Sequence, residues 1–316
     1  MLKPIKLMPE FKEIIWGGNR LKNEYNKVSD LNNIAESWEL TVRPDGMNIV
    51  DGGEFDGFTL EEYINKNGFT VVTNKEMDRF PLLIKFIDAE DNLSIQVHPN
   101  DEYGMKTANS LGKTEMWYII DAKPSAKLVY GLKEGCTVDM LKEAIDNNTV
   151  EEMLNYVPVK KGDVFFIPSG LVHAIGAGIL LAEIQQNSNI TYRVYDYNRK
   201  GKDGKPRELH ISNALDVIIN RTEQEIDKIR FSTNVKNNTT LASCEYFTVD
   251  KYALDGEINL KTDEKSFNSV LCLEGNGTLE FNGESFPITK GDSYFVPANL
   301  GDYLITGKLE IVVSKI

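Results

Sequence analysis

Only three histidines are available to any histidine-based metal site in this chain: His98, His173 and His210. His173 closes the stretch Gly162-Asp163-Val164-Phe165-Phe166-Ile167-Pro168-Ser169-Gly170-Leu171-Val172-His173. Phe165 to Ile167 favour a strand, and Pro168 with Gly170 stop it and set a turn. His173 is thereby placed where the next strand begins, a position suited to a metal-ligating histidine in a β-barrel.

Gln96 and His98 lie two apart in Leu93-Ser94-Ile95-Gln96-Val97-His98-Pro99. Strand alternation puts Ser94, Gln96 and His98 on one face and Ile95 and Val97 on the other. Glu115 opens Glu115-Met116-Trp117-Tyr118-Ile119-Ile120, where the same alternation groups it with Lys113 and Trp117. Two imidazoles, a carboxylate and the Gln96 amide oxygen make a mixed nitrogen–oxygen set that Zn2+ accepts, although Fe2+ or Mn2+ would also fit. Each residue has a plainer reading. A histidine at a strand end is commonly a satisfied hydrogen-bonder, and Glu115 could pair with Lys113 or Arg193 at the surface. His210, beside a helix start, is read as structural.

These residues need a scaffold, and most of the chain reads as short strands punctuated by Gly, Pro, Asn and Asp. Examples are Ser37 to Val42, Leu82 to Asp88, Ser94 to His98, Glu115 to Ile120, Lys127 to Tyr130, Val164 to Ile167 and Ile179 to Gln186. Helical periodicity is local: Leu60 to Asn65, a pair at Val138 to Ile145 and Val150 to Tyr156 with Thr137 and Asn148 as N-caps, and Ser212 to Asn220. The expected class is mainly β, a barrel or sandwich decorated by helices. The polar stretch Asn198 to Arg207 reads as an exposed connector that could approach a site mouth.

An internal repeat points to two units of similar build in tandem. Lys161-Gly162-Asp163-Val164-Phe165-Phe166-Ile167-Pro168 recurs as Lys290-Gly291-Asp292-Ser293-Tyr294-Phe295-Val296-Pro297, at an offset of 129. The second copy has Asp302 opposite His173 and Asn299 opposite Gly170, and no histidine follows it. Ser269 to Glu274, a Gly275-Asn276-Gly277 turn and Thr278 to Phe281 read as a strand pair ahead of it. The expected division is a catalytic unit over residues 1–238 and a ligand-free unit over residues 239–316, with strands resuming through Ser243 to Tyr252.

Composition narrows the function. A length of 316 residues allows one large or two modest domains, and 41% hydrophobic content is ordinary for a globular protein. A net charge of −13 argues against nucleic-acid binding through phosphate neutralisation. It leaves room for one anionic small molecule held by local Lys and Arg. No long apolar run suggests a membrane span, and no secretory leader is visible at Met1 to Lys6. Cys136, Cys244 and Cys272 are dispersed, which suits free thiols and a cytoplasmic setting.

With these residues assembled, the chain resembles the cupin superfamily and, more narrowly, the short bacterial form of the type I mannose-6-phosphate isomerases (phosphomannose isomerases). The resemblance implies a mainly β fold of two tandem cupin-like β-barrels (jelly rolls) with a small helical insertion. The matching segments are Phe11 to Leu21, Pro81 to Asp88, Ser94 to Asp101, Lys113 to Tyr118, Lys161 to Gly178 and Asn189 to Asp196. The resemblance implies one Zn2+ per chain held by Gln96, His98, Glu115 and His173. It also implies Arg193 and Lys113 as catalytic residues, and a phosphosugar substrate touching Ser94, Lys113 and Arg193. The implied reaction interconverts D-mannose 6-phosphate and D-fructose 6-phosphate. Two departures stand out: Gln96 replaces the first histidine of the general cupin motif, and the glutamate lies 17 residues beyond His98. The rival readings are a non-haem iron cupin oxygenase and a sugar-binding cupin without catalysis.

Overall fold

The computed structural model describes residues 2–201, 204–221, 225–226 and 238–316. Lys202 and Asp203 of the polar connector, and most of the segment just before residue 238, lie outside the described residues. The mainly β class stands. Among the described residues the strands form three large antiparallel sheets and one two-stranded ribbon, and no sheet closes on itself.

A six-stranded sheet runs, in spatial order, Val164–Ile167, Glu115–Ala122, Ile179–Gln186, Leu82–Ala89, Glu36–Leu40 and Glu10–Lys12. A five-stranded sheet runs Leu154–Pro158, Lys127–Leu132, His173–Ala174, Ile95–Val97 and Tyr192–Tyr195. Trp117, Phe165 and Ile179 from the first pack with Leu128 and Tyr130 from the second. Every residue of Leu82–Ala89 and of Ile179–Gln186 is buried, because the opposite face of the six-stranded sheet is covered too. There Ile84, Phe86, Met116 and Ile184 pack with Tyr63, Phe295 and Val312. A sheet buried on both faces reads as continuous apolar sequence, so the charges interrupting Leu-Leu-Ile-Lys-Phe-Ile and Leu-Leu-Ala-Glu-Ile stand out.

The outer face of the five-stranded sheet is capped by Val138–Asp146 and Ile211–Val217. Thr137 accepts the Met140 N–H and caps the first of these as expected. The second expected helix of the pair does not form. Val150–Met153 is a single 3-10 turn, Asn148 adopts a left-handed conformation at φ 57°, and Leu154–Pro158 continues as a strand paired to Lys127–Leu132. The open ladder of that neighbouring strand offers the segment more hydrogen bonds than a short helix would. The later helix ends at Val217 rather than Asn220, because the Ile219 N–H is taken by the Gly170 carbonyl.

The third sheet runs Thr239–Ser243, Thr248–Thr262, Gly301–Lys315, Asn268–Phe281, Ser293–Val296, Ile5–Met8 and Ile49–Asp51, with Glu284–Thr289 beside Asn268–Phe281. Ile5–Met8 therefore pairs with the repeat strand Ser293–Val296, stitching the start of the chain onto its last third. The expected turn at Gly275-Asn276-Gly277 is absent: Asn268–Phe281 is one strand with a register shift between Cys272 and Glu274. A side chain at Gly275 or Gly277 would strike the facing carbonyls of Lys308 and Thr306, so these glycines serve close strand approach, not a turn. Strands likewise resume as Thr239–Ser243 and Thr248–Thr262, with a break at residues 244–247.

The repeat is visible in the backbone. Gly162 and Gly291 have φ of 88° and 93°, and Gly170 and its counterpart Asn299 are both left-handed at 78° and 64°. Asp163 accepts the Lys160 N–H at 3.0 Å, and Asp292 accepts the Thr289 N–H at 2.9 Å. The same turn thus launches Val164–Ile167 and Ser293–Val296.

Candidate metal centre

Between the six- and five-stranded sheets, polar side chains alternate with the apolar ones on the facing surfaces. Register places Glu183 beside Lys85 and Trp117, and Gln185 beside Glu115. Across the gap, Gln96 pairs with both His173 and Arg193. Gln96 and Arg193 come from neighbouring strands, so their side chains share the inner face, while Ile95 and Val97 go to the outer core.

His98, Glu115 and His173 are essentially inaccessible to solvent and bring their ligand atoms together. The His98 and His173 Nε2 atoms are 3.1 Å apart. Glu115 lies 3.5 Å from His173 Nε2 through Oε1 and 3.7 Å from His98 Nε2 through Oε2. The Gln96 side-chain amide is 3.4 Å from His173 Nε2. Ligands bound tetrahedrally at zinc distances would be separated by roughly 3.3 Å. His98, Glu115 and His173 are therefore spaced much as such a set requires, whereas Gln96 turns its amide nitrogen, not its oxygen, toward His173.

The chemistry of the donors agrees. His173 donates through Nδ1 to the Leu171 carbonyl at 2.8 Å, so the Nε2 lone pair faces the cluster. Burial pushes the His173 ring down to about 4 and His98 well below its usual value, so both rings stay neutral and can ligate. Glu115 Oε1 accepts no hydrogen bond among the described residues, which is costly for a fully buried carboxylate oxygen unless a cation meets it.

Lys113 Nζ stands 2.5 Å from Glu115 Oε2, 3.1 Å from His98 Nε2 and 3.9 Å from Glu183 Oε1. The expected grouping of Lys113, Glu115 and Trp117 thus holds, and Glu115 does pair with Lys113, but deep in the interior rather than at the surface as its plainer reading had it. Burial and the Glu183 charge push Glu115 up, whereas burial of Glu183 is outweighed by Lys113 and Lys85, which hold it down. Lys85 reaches Glu36 at 3.2 Å and Glu183 at 3.3 Å; these carboxylates outweigh its burial and push it up to about 12. Trp117 donates its indole N–H to Glu183 at 2.8 Å.

Gln96 and Lys113 also line a cavity of about 290 Å³, with Ser94, Arg193, Arg207 and Thr191. Arg193 Nε donates to Ser94 Oγ at 3.3 Å and its Nη1 to the Glu208 carbonyl at 2.7 Å. His210 accepts the Arg193 N–H at 3.3 Å, so the histidine read as structural braces this strand. The described part of the polar connector is mostly exposed, as expected, and it approaches the cavity through Arg207. Arg207 reaches the cavity because Asp196, itself buried, grips it at 2.5 and 2.7 Å together with Arg199. Lys85, Glu183 and Glu36 were not foreseen; the signal for the first two was a lone charge inside an apolar strand.

The comparisons with known proteins point the same way. The phosphomannose isomerase type I catalytic domain matches residues 5–124, and the cupin domain of mannose-6-phosphate isomerase matches residues 237–316. The mannose-6-phosphate isomerase ManA of Bacillus subtilis is 40% identical over 322 residues, covering 99% of both chains. The mannose-6-phosphate isomerase of Streptococcus mutans is 35% identical, covering 99% of this chain and 98% of its own. The crystal structure of a Bacillus subtilis mannose 6-phosphate isomerase superposes with a TM-score of 0.90 at 36% identity, covering 99% of each chain. A phosphomannose isomerase from Salmonella typhimurium, at 16% identity and a TM-score of 0.76, shares the fold. Likeness that runs the length of the chain, in sequence and in structure, makes this protein a member of the type I phosphomannose isomerase family.

Proposed function

We propose that the cavity between the two sheets interconverts D-mannose 6-phosphate and D-fructose 6-phosphate with one Zn2+ held by His98, Glu115, His173 and Gln96. The observation carrying this reading is a neutral two-histidine, one-carboxylate cluster at a cavity edged by Lys113, Arg193 and Arg207. Full-length relatives bearing the isomerase name support the substrate.

The reaction moves a proton between C1 and C2 of the open-chain sugar, building negative charge on oxygen. When bound, the zinc ion supplies Lewis-acid stabilisation of that charge. Arg193 places permanent positive charge beside the reacting carbons. Lys113 Nζ, close to both Glu115 and His98, would be the group to carry the proton between C1 and C2. Ser94, fixed by Arg193, orients a sugar hydroxyl. Arg207 is turned toward the substrate's anionic end. The walls formed by Trp16, Ile87 and Ile175 limit water near the intermediate.

The strand repeat further supports two cupin-like units in tandem, the second without ligands. A coupled isomerase assay paired with metal analysis by mass spectrometry tests the function. Turnover of mannose 6-phosphate with zinc, lost on chelation and restored by it, is the expected result. Iron in place of zinc with oxygen consumption, or sugar binding without turnover, would replace this reading.

A further inference from the structure

A second cavity, of about 390 Å³, opens where the start of the chain joins the last sheet, and it shares no lining residue with the metal cavity. Its walls are aromatic: Phe55, Tyr63, Phe286 and Tyr294. Lys6 registers with both Asp51 and Tyr294 on the flanking strands, so these three side chains face the same side. The charges around the opening do not cancel. Lys3 pairs with Glu284 at 2.5 Å and Lys6 with Asp292 at 2.8 Å. That leaves Asp51 and Glu54, both exposed, without an ion pair among the described residues.

Two further observations point to a ligand. The Tyr63 hydroxyl is buried and has no hydrogen-bond partner among the described residues, although the ring lines the cavity. Phe55, shared with the neighbouring cavity, shows that a ring here can face an ammonium: Lys66 Nζ, which borders that neighbouring cavity, lies 5.3 Å from it. Aromatic faces attract cations through their quadrupole, and uncompensated carboxylates at the entrance add to that attraction. The volume lies within the range of small-molecule sites.

We infer that this cavity binds a small organic ammonium, an aromatic or apolar body carrying a single positive nitrogen. The apolar part lies against Phe55 and Phe286, and the nitrogen faces Asp51 and Glu54. The Tyr63 hydroxyl supplies a hydrogen bond to any polar group that penetrates deeper.

The test uses the full-length, metal-loaded protein and two probes of nearly equal shape, 2-phenylethylammonium and 2-phenylethanol. Amide chemical shifts are followed by NMR during titration. The expected result is movement at residues 3–6, 51–55 and 284–294, with the ammonium binding roughly tenfold more tightly than the alcohol. A protein carrying Asp51→Asn and Glu54→Gln, both on the exposed lip, is expected to bind the alcohol as before and lose the preference for the cation. Equal affinity for the two probes, a preference that survives both substitutions, shifts confined to the metal cavity, or no shifts at all would each overturn the proposal.

Discussion

His98 and His173 are 75 positions apart in the chain, yet their Nε2 atoms face each other at 3.1 Å in a solvent-free pocket. Two neutral rings so arranged repel through their lone pairs unless a proton or a cation lies between them. A cation shared by the two rings would satisfy both lone pairs, and Lys113 Nζ already stands 3.1 Å from His98 Nε2.

Replacing one ring should release the metal. His173→Ala is expected to lower bound zinc from about one per chain to below roughly 0.1, with isomerase activity falling at least roughly a thousandfold. Elemental analysis of the purified variant beside the coupled assay checks both. Undiminished turnover by a metal-free His173→Ala protein would exclude the proposed centre.

Arg193 should separate binding of the metal from turnover. Its guanidinium contacts Ser94 and the Glu208 carbonyl, not the histidines. Arg193→Ala is expected to retain zinc while losing roughly 10²–10³-fold in kcat/KM. Arg193→Lys should restore little, because a lysine cannot reproduce the two-directional donation. Loss of zinc along with activity would move Arg193 from the reaction to the scaffold.

A buried ion pair joins the site's sheet to the last sheet. Lys27 donates to Glu39 at 2.8 Å and to the Gly291 carbonyl at 2.6 Å, and Ser293 donates to the Glu39 carbonyl at 2.9 Å. Lys27→Met leaves the Glu39 carboxylate buried without its cation, so a loss of about 3–5 kcal/mol is expected. Lys27→Met with Glu39→Gln should recover much of it. Urea unfolding of the two variants gives the comparison, and equal stability of both would remove the pair from the account.

Asp88 provides a pH test remote from the metal. Burial raises its carboxyl to about 6, although the Arg20 N–H donates to it at 2.8 Å. A group that holds its proton more tightly folded than unfolded favours the native state at low pH and loses that advantage as pH rises. Stability should fall between about pH 4 and pH 6, by up to about 3 kcal/mol, and stay lower above that. Asp88→Asn should flatten this part of the profile; an unchanged slope in urea titrations across that window would contradict it.

Local chemistry was legible in the residues. Pro168, Gly170 and His173 foretold where a strand would stop and a buried histidine stand, and alternation in Ser94 to His98 foretold which face Gln96 would take. The 129-residue repeat foretold two turns of the same backbone shape. The Gly275-Asn276-Gly277 turn and the helix at Val150 to Tyr156 were misjudged, because glycine marks close strand approach as readily as a turn and an open strand edge outcompetes a weak helix.

What the sequence determined by itself is which side chains could ligate a metal: few histidines, on strands of known alternation. Only the tertiary structure decided that Glu183, Lys85 and Arg207 belong beside them, and that Ile5–Met8 would cross to the last sheet. Alternation along a strand specifies which face a side chain takes. Which distant strand faces it depends on burial summed over whole sheets, and no short segment carries that information.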